Sequence, residues 1–137
     1  MERPPAGFQE IEHAADWALQ VWAPDLAALL EQAARGMMTL AGIRLENEPV
    51  CEREIEITFL DPEHLLVKFL SELLHLLEQE NLAFTEYQIS LEPNRLKAHL
   101  RGFPVRSIDK AIKAVTYHNL EVRQTERGVE ASLVFDV

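Results

Sequence analysis

Apolar residues fall on every second position in two short runs at the start of the chain, "FQEIE" (8–12) and "WALQVWA" (17–23). That period predicts two strands, the second with Trp17, Leu19 and Val21 on one face. The period then changes. Pro24-Asp25 opens a helix with Asp25 as its N-cap. Leu26, Leu29, Leu30, Ala33, Met37 and Leu40 make the apolar face of that helix, and Gly42 is its natural stop. "REIEITF" (53–59) alternates again, with Ile55, Ile57 and Phe59 inward and Glu54, Glu56 and Thr58 outward, as in a strand with one wet face. Asp61-Pro62-Glu63 supplies a cap, a proline at the first helical position and an acid in the first turn, and the second helix runs from there to Gln79. Its apolar positions (Leu65, Leu66, Val67, Phe69, Leu70, Leu73, Leu74, Leu76, Leu77) are wider than a surface helix needs, so it should be covered on more than one side.

Beyond Asn81 the pattern is mostly of strand type. "YQISLE" and "RLKAHLRG" flank Pro93-Asn94 as a hairpin. Leu82 and Phe84 are out of phase with Tyr87, Ile89 and Leu91, which places a bulge near Thr85-Glu86. "IKAVTYH" (112–118), "LEVRQTE" (120–126) and "VEASLVFD" (129–136) follow, the last two joined at Arg127-Gly128. Seven or eight short strands and two helices predict an α+β single domain spanning 1–137. Two helices cannot cover both faces of that many strands, so the strands are expected in two mainly antiparallel sheets with the helices packed between or against them, a three-layer sandwich.

Composition narrows the function classes. The net charge is −10, from 23 acids and 13 bases, which argues against direct phosphate-driven binding of nucleic acid. The single cysteine, Cys51, excludes an internal disulfide and a four-thiolate zinc site, and it lies beside acids that disfavour a nucleophilic thiolate. "MERPPAGF" has no apolar signal region, and "HLLVKFLSELLHLL" is too short and too polar to span a bilayer. A cytoplasmic protein with no membrane partner is expected. Five glycines form no phosphate-binding loop or dinucleotide fingerprint, and the five histidines form no His-Glu-x-x-His pair.

The candidate chemistry sits at the ends of strands. If the last strand lies beside the strand that ends near His13-Asp16, the carboxylates of Asp16 and Asp136 meet the terminal carboxylate expected at Val137. Clustered anions call for a cation, and hard oxygen donors favour Ca²⁺ or Mg²⁺ over zinc or copper. The alternative is that a turn Asp and a terminal Asp are simply solvated, and spacing alone does not choose. His13 and His118 lie at strand ends beside other polar groups, and Lys113 precedes the apolar Ala114 and Val115; structural hydrogen bonds and a solvated ammonium are the competing readings.

Three stretches in this order, "EHAAD" (12–16), "KAVTYH" (113–118) and "FDV" (135–137), with the "LDPEHLLVKFLSELLHLLE" helix between them, resemble the archease family from about Gln9 to Val137. The resemblance implies a small accessory protein, not an enzyme, that partners the GTP-dependent tRNA-splicing RNA ligase. It implies promotion of the ligase's guanylylation and multiple turnover, and a chaperone-like action on RNA-processing proteins has also been described for the family. It implies a divalent-cation site on Asp16, Asp136 and the main-chain oxygen of Val137, with Ca²⁺ expected first and Mg²⁺ or Mn²⁺ as alternatives. Lys113 matches the family's functional cluster, and His13 and His118 are grouped with it here.

Two departures stand out. The first motif has Ala14 where the family usually has Thr, and Ala18 where it usually has Gly. The segment "GFPVRSIDKAI", read as a loop, is shorter than usual and lacks the customary His. Two other functions remain to be weighed: a chaperone-like binding protein, and a stand-alone metal-dependent hydrolase, for which no positioned base is evident beyond His13 or His118.

Overall fold

Both helices begin where their caps dictate. The computed structural model describes residues 3–11 and 17–137, so His13 and Asp16 lie outside the described residues. Helix α1 (Leu26–Leu40) starts at Asp25, whose carboxylate accepts from Ala28 N at 2.8 Å. Helix α2 (Pro62–Glu80) starts at Asp61, which accepts from His64 N at 2.7 Å, and ends at Asn81 in the left-handed conformation. Asn81 also fastens that end to the sheet: its amide donates to Val105 O at 3.0 Å, and its carbonyl accepts from Val105 N at 2.8 Å.

The strands are β1 (Gly7–Ile11), β2 (Trp17–Ala23), β3 (Arg44–Leu45), β4 (Cys51–Thr58), β5 (Leu82–Glu92), β6 (Arg95–Ser107), β7 (Ala114–Thr116), β8 (Arg123–Thr125) and β9 (Gly128–Asp136). They form two antiparallel sheets. One runs β1-β2-β9, with β7 and β8 sharing the outer edge of β9; the other has β6 at its centre, with β5 on one side and β4 and β3 on the other. Both helices touch strands of both sheets, which makes the expected three layers: sheet, helix pair, sheet.

The core explains the breadth of the apolar stripe on α2. Leu65, Leu66, Phe69, Leu70 and Leu73 are fully buried, in one cluster with Leu29, Leu30, Leu19, Leu133 and Phe135 from α1 and the first sheet, and Leu96 and Leu100 from the second. A helix between two sheets has few positions left for water.

Several sequence expectations change in the structure: β3 was not expected, and the strand expected over 120–126 is only Arg123–Thr125. The "GFPVRS" part of the supposed loop belongs to β6. Gly102 sits opposite the β5 bulge between Phe84 and Glu86, where a side chain would run into the backbone of Ala83 and Phe84. Pro104, which has no N–H to give, uses its carbonyl to accept from Glu46 N at 2.9 Å. The strand expected over 112–118 is only Ala114–Thr116, because Asn119 takes a left-handed conformation in a turn where Leu120 N donates to Tyr117 O at 3.0 Å. The bulge itself falls where the change of phase predicted it. It is held by Arg35, which donates to Thr85 O at 3.0 Å, and by the Tyr87 hydroxyl, which donates to Phe84 O at 2.9 Å.

Candidate functional site

The end of β9 is held on both sides by backbone pairing. Trp17 of β2 lies opposite Phe135, and Ala114 of β7 lies opposite Asp136. Lys113 N donates to Asp136 O at 2.7 Å, which adds one more bond beyond β7 itself. Thr116 closes the other end of this short pairing, its hydroxyl donating to Val134 O at 2.9 Å and accepting from His118 N at 3.3 Å. Phe135 is fully buried and anchors the strand, while Asp136 beside it is exposed. Val137 is half-buried against the core.

Strand alternation sorts these side chains. Phe135 and Val115 point into the core, so Asp136 and its partner Ala114 point to the outer face of the sheet, where both are exposed. Lys113 falls on the helix side, where it lines a groove beside α1 and α2. Lys113 and Asp136 are therefore brought together through their backbones and form no ion pair with each other. The sequence did not show this division, because the register that sets it depends on a pairing between distant segments.

The segment before Lys113 is positioned by the end of α1. Ala41 O accepts from both Asp109 N and Lys110 N at 3.0 Å. Amide donors at a helix C-terminus satisfy carbonyls that the helix itself cannot. Gly42 follows with φ +65°, and a side chain there would collide with Asp109. The Asp109 carboxylate pairs with Arg44 at 3.0 Å, and the Lys110 ammonium sits 5.1 Å from the centre of the Trp17 ring. Sequence reading missed Thr116, Lys110 and Gly42 in this role. Gly42 carried a signal, as the stop of α1, but nothing local showed what would pack against it.

His118 is exposed, with Nε2 3.3 Å from the Asn119 amide nitrogen. On the opposite side of the short loop, Glu63 in the first turn of α2 accepts from Val122 N at 2.6 Å and ties the 117–122 segment to the helix. His13 and Asp16 belong to the segment outside the described residues, and the neighbour of Asp16 in sequence, Trp17, is opposite the neighbour of Asp136.

The donors at the end of β9 are hard oxygens, one carboxylate and the main chain of Val137, which suits Ca²⁺ or Mg²⁺ and not a soft metal. Among the described residues no group of three His, Cys, Asp or Glu side chains could hold an ion. Asp16, the third donor expected from the sequence, lies outside them. Among the described residues no helix is long and apolar enough to cross a membrane.

Comparison with known proteins bears on this geometry. The model of the Archease protein family (MTH1598/TM1083) matches residues 8–137. The chain is 32% identical over 142 aligned positions to Protein archease of Methanosarcina mazei, covering 95% of each protein. It is 31% identical over 139 positions to Protein archease of Archaeoglobus fulgidus, covering 95% of this chain and 98% of the relative. The crystal structure of an archease from Thermotoga maritima, described as a possible chaperone, superposes with a TM-score of 0.70 at 27% identity, covering 100% of this chain and 98% of that one. The solution structure of Methanobacterium thermoautotrophicum protein 1598 has the same fold, with a TM-score of 0.70 at 23% identity.

Proposed function

Because the chain belongs to the archease family, we propose that it is a non-enzymatic accessory protein of the GTP-dependent tRNA-splicing RNA ligase, promoting guanylylation and multiple turnover of that enzyme. The reading gives this chain a divalent-cation site on Asp16, Asp136 and the main-chain oxygen of Val137, with His13, His118 and Lys113 as its functional cluster, Lys113 joined to it through its backbone bond to Asp136 while its side chain lies on the helix side of the sheet. The observation that carries it is the end of β9: a buried Phe135 and paired neighbours on both sides hold an exposed carboxylate in a fixed place, with no cation paired to it among the described residues. A divalent ion bound there would neutralise the carboxylates and could bridge to phosphate oxygens, the kind of charge stabilisation that phosphoryl-type transfer needs.

This chain's own part is to position and to deliver. Thr116 and the Lys113–Asp136 backbone bond hold the donors in register, and the segment 108–113 is fixed to α1. Direct contact with RNA is not needed, and the acidic balance of the chain suits a protein partner with basic surface instead.

The test is guanylylation of the cognate ligase with GTP under multiple turnover, with and without this protein. Wild type should stimulate, and Asp136→Ala or deletion of Val137 should remove at least nine-tenths of the stimulation. Stimulation that survives both changes would keep the partner and discard the cation site. A chaperone-like role is the second reading, favoured by the description of the Thermotoga relative and by an apolar groove beside Lys113. It predicts that unrelated denatured proteins are kept from aggregating and that Asp136→Ala makes no difference.

A further inference from the structure

The outer face of the first sheet changes character toward the end of β9. Ile11, Ala18, Val134 and Thr116 lie in register, one on each of β1, β2, β9 and β7. That row carries no charge. Ala18 and Val134 are buried in it, and the Thr116 hydroxyl is bonded to Val134 O and His118 N. The next row toward the chain end sets Ala114 opposite Asp136, and both are exposed. Residues directly opposite across an antiparallel pair have Cβ atoms about 4.5–5.5 Å apart, close enough for two side chains to share one ion. What position 114 offers the Asp136 carboxylate is a methyl group. The Lys113 side chain lines the groove on the helix side, so it does not cover that carboxylate either.

The donors expected from this chain are two carboxylates and one main-chain oxygen. Calcium takes about six to eight oxygens, more than these supply even if both carboxylates bind through both oxygens. The remaining ligands have to come from water or from another molecule. Position 114 is where the fold had the opportunity to supply one more, on a strand held in register with β9 and on the same face as Asp136. Charge count at such a site tunes affinity, so the absence of a third side-chain carboxylate also keeps the ion weakly held.

We propose that Ala114 is a specificity-determining residue of this site: its methyl group leaves coordination positions beside Asp136 open, and phosphate oxygens presented by the RNA ligase take them in exchange for water. The inference rests on the cation site and the partner of the proposed function. Affinity for the free ion is lower than this backbone could provide, and the open side is reserved for a ligand that arrives with the partner.

The experiment measures the Kd for Ca²⁺ by calorimetry, on protein freed of metal by chelation. Ala114→Asp puts a carboxylate in place of the methyl group at an exposed position, and Ala114→Glu does the same with a longer reach. At least one of them should lower Kd by roughly fivefold or more. Eu³⁺ bound in place of calcium, its waters counted from luminescence lifetimes in H₂O and D₂O, should keep fewer waters in that variant than in wild type. Its stimulation of ligase guanylylation should nevertheless be almost abolished. Without metal the variant should melt below wild type, because like charges opposite each other repel, and calcium should raise its Tm by more. Ser132→Asp adds the same charge to an exposed position on the same face of β9, one row beyond Val134, and should leave Kd and stimulation unchanged. Folded variants that bind calcium no more tightly than wild type, or with the same number of waters, overturn the inference and leave the cation site standing. Tighter binding with full stimulation overturns it as well, since the open positions are then not needed by the partner. Wild type that binds no calcium overturns both the inference and the cation site.

Discussion

At the scale of single residues, Gly42 links backbone conformation to the candidate site. Its φ of +65° is cheap for glycine and costs an L-residue about 1–2 kcal/mol. A methyl group would also strike the Asp109 side chain, and Asp109 N is one of the two donors that fasten the 108–113 segment to Ala41 O. Gly42→Ala should therefore lower the unfolding free energy by about 1–2 kcal/mol. It should also speed hydrogen exchange at the amides of Asp109, Lys110 and Lys113. Denaturant titration and exchange measurements check both, and a loss under about 0.5 kcal/mol, the range of a neutral surface change, would show that the loop does not depend on this contact. The sequence marked Gly42 as a helix stop because that rule is local. It could not mark the Asp109 contact, the double acceptor at Ala41 or the clamp from Thr116 to Val134, since each joins segments far apart in the chain.

Elements were readable where local chemistry decides them. The caps at Asp25 and Asp61, the Pro62 start and the phase change near Thr85 all predicted features that the structure shows. The extension of β6 through Gly102 and Pro104 was hidden, because both residues ordinarily break strands and only the bulge in β5 and the pairing with β3 make room for them. The outer face of the second sheet has a consequence of its own. Arg95, Lys97, His99 and Arg101 lie along central β6, opposite Thr58, Glu56, Glu54 and Glu52 of β4, so opposite charges face each other across the ladder. His99 Nε2 is 3.0 Å from Glu52 and Nδ1 is 3.5 Å from Glu54. The hydrogen bond to Glu52 raises His99 above its ordinary value of 6.5, and the bond from His99 lowers Glu52 below its ordinary value of 4.5. A raised histidine contributes stability that is complete below its unfolded value and disappears as the pH climbs through its folded one. A lowered carboxylate contributes stability that is complete above its unfolded value and disappears as the pH falls through its folded one. The pair is therefore whole between pH 4.5 and 6.5 and weakens beyond either limit. Thermal melts from pH 5 to 8.5 should show a small advantage of wild type over His99→Gln at the acid end that shrinks toward the alkaline end. Because the groups are exposed, added salt should shrink the difference. Parallel profiles for the two proteins would remove the pair from any account of stability.

For the whole molecule, the three-layer arrangement was legible from counting, since two helices and many strands leave few ways to bury so broad an apolar stripe on α2. The candidate site was legible only in its pieces. Asp136 and Lys113 were marked by position and by resemblance, but their placement on opposite faces of the sheet follows from a register between β7 and β9 that no single stretch encodes. That placement makes the end of β9 a candidate cation site separable from the groove, and cation binding to the folded state should be visible as stability. A ligand that binds only the native protein stabilises it by RT ln(1 + [L]/Kd), roughly 2.7 kcal/mol at a hundredfold excess over Kd. Calcium added to wild type freed of metal by chelation should thus raise Tm by several degrees, and chelator should reverse the rise. Asp136→Ala should lose the shift, and deletion of Val137 should reduce it, whereas removal of an acid elsewhere, such as exposed Glu92, should leave it intact. Magnesium in place of calcium ranks the two hard ions by the size of the shift. If calcium raises Tm equally in wild type and Asp136→Ala, the ion binds away from the end of β9. On the proposed function, the carboxylate there would then meet the partner directly, as an anion facing basic groups.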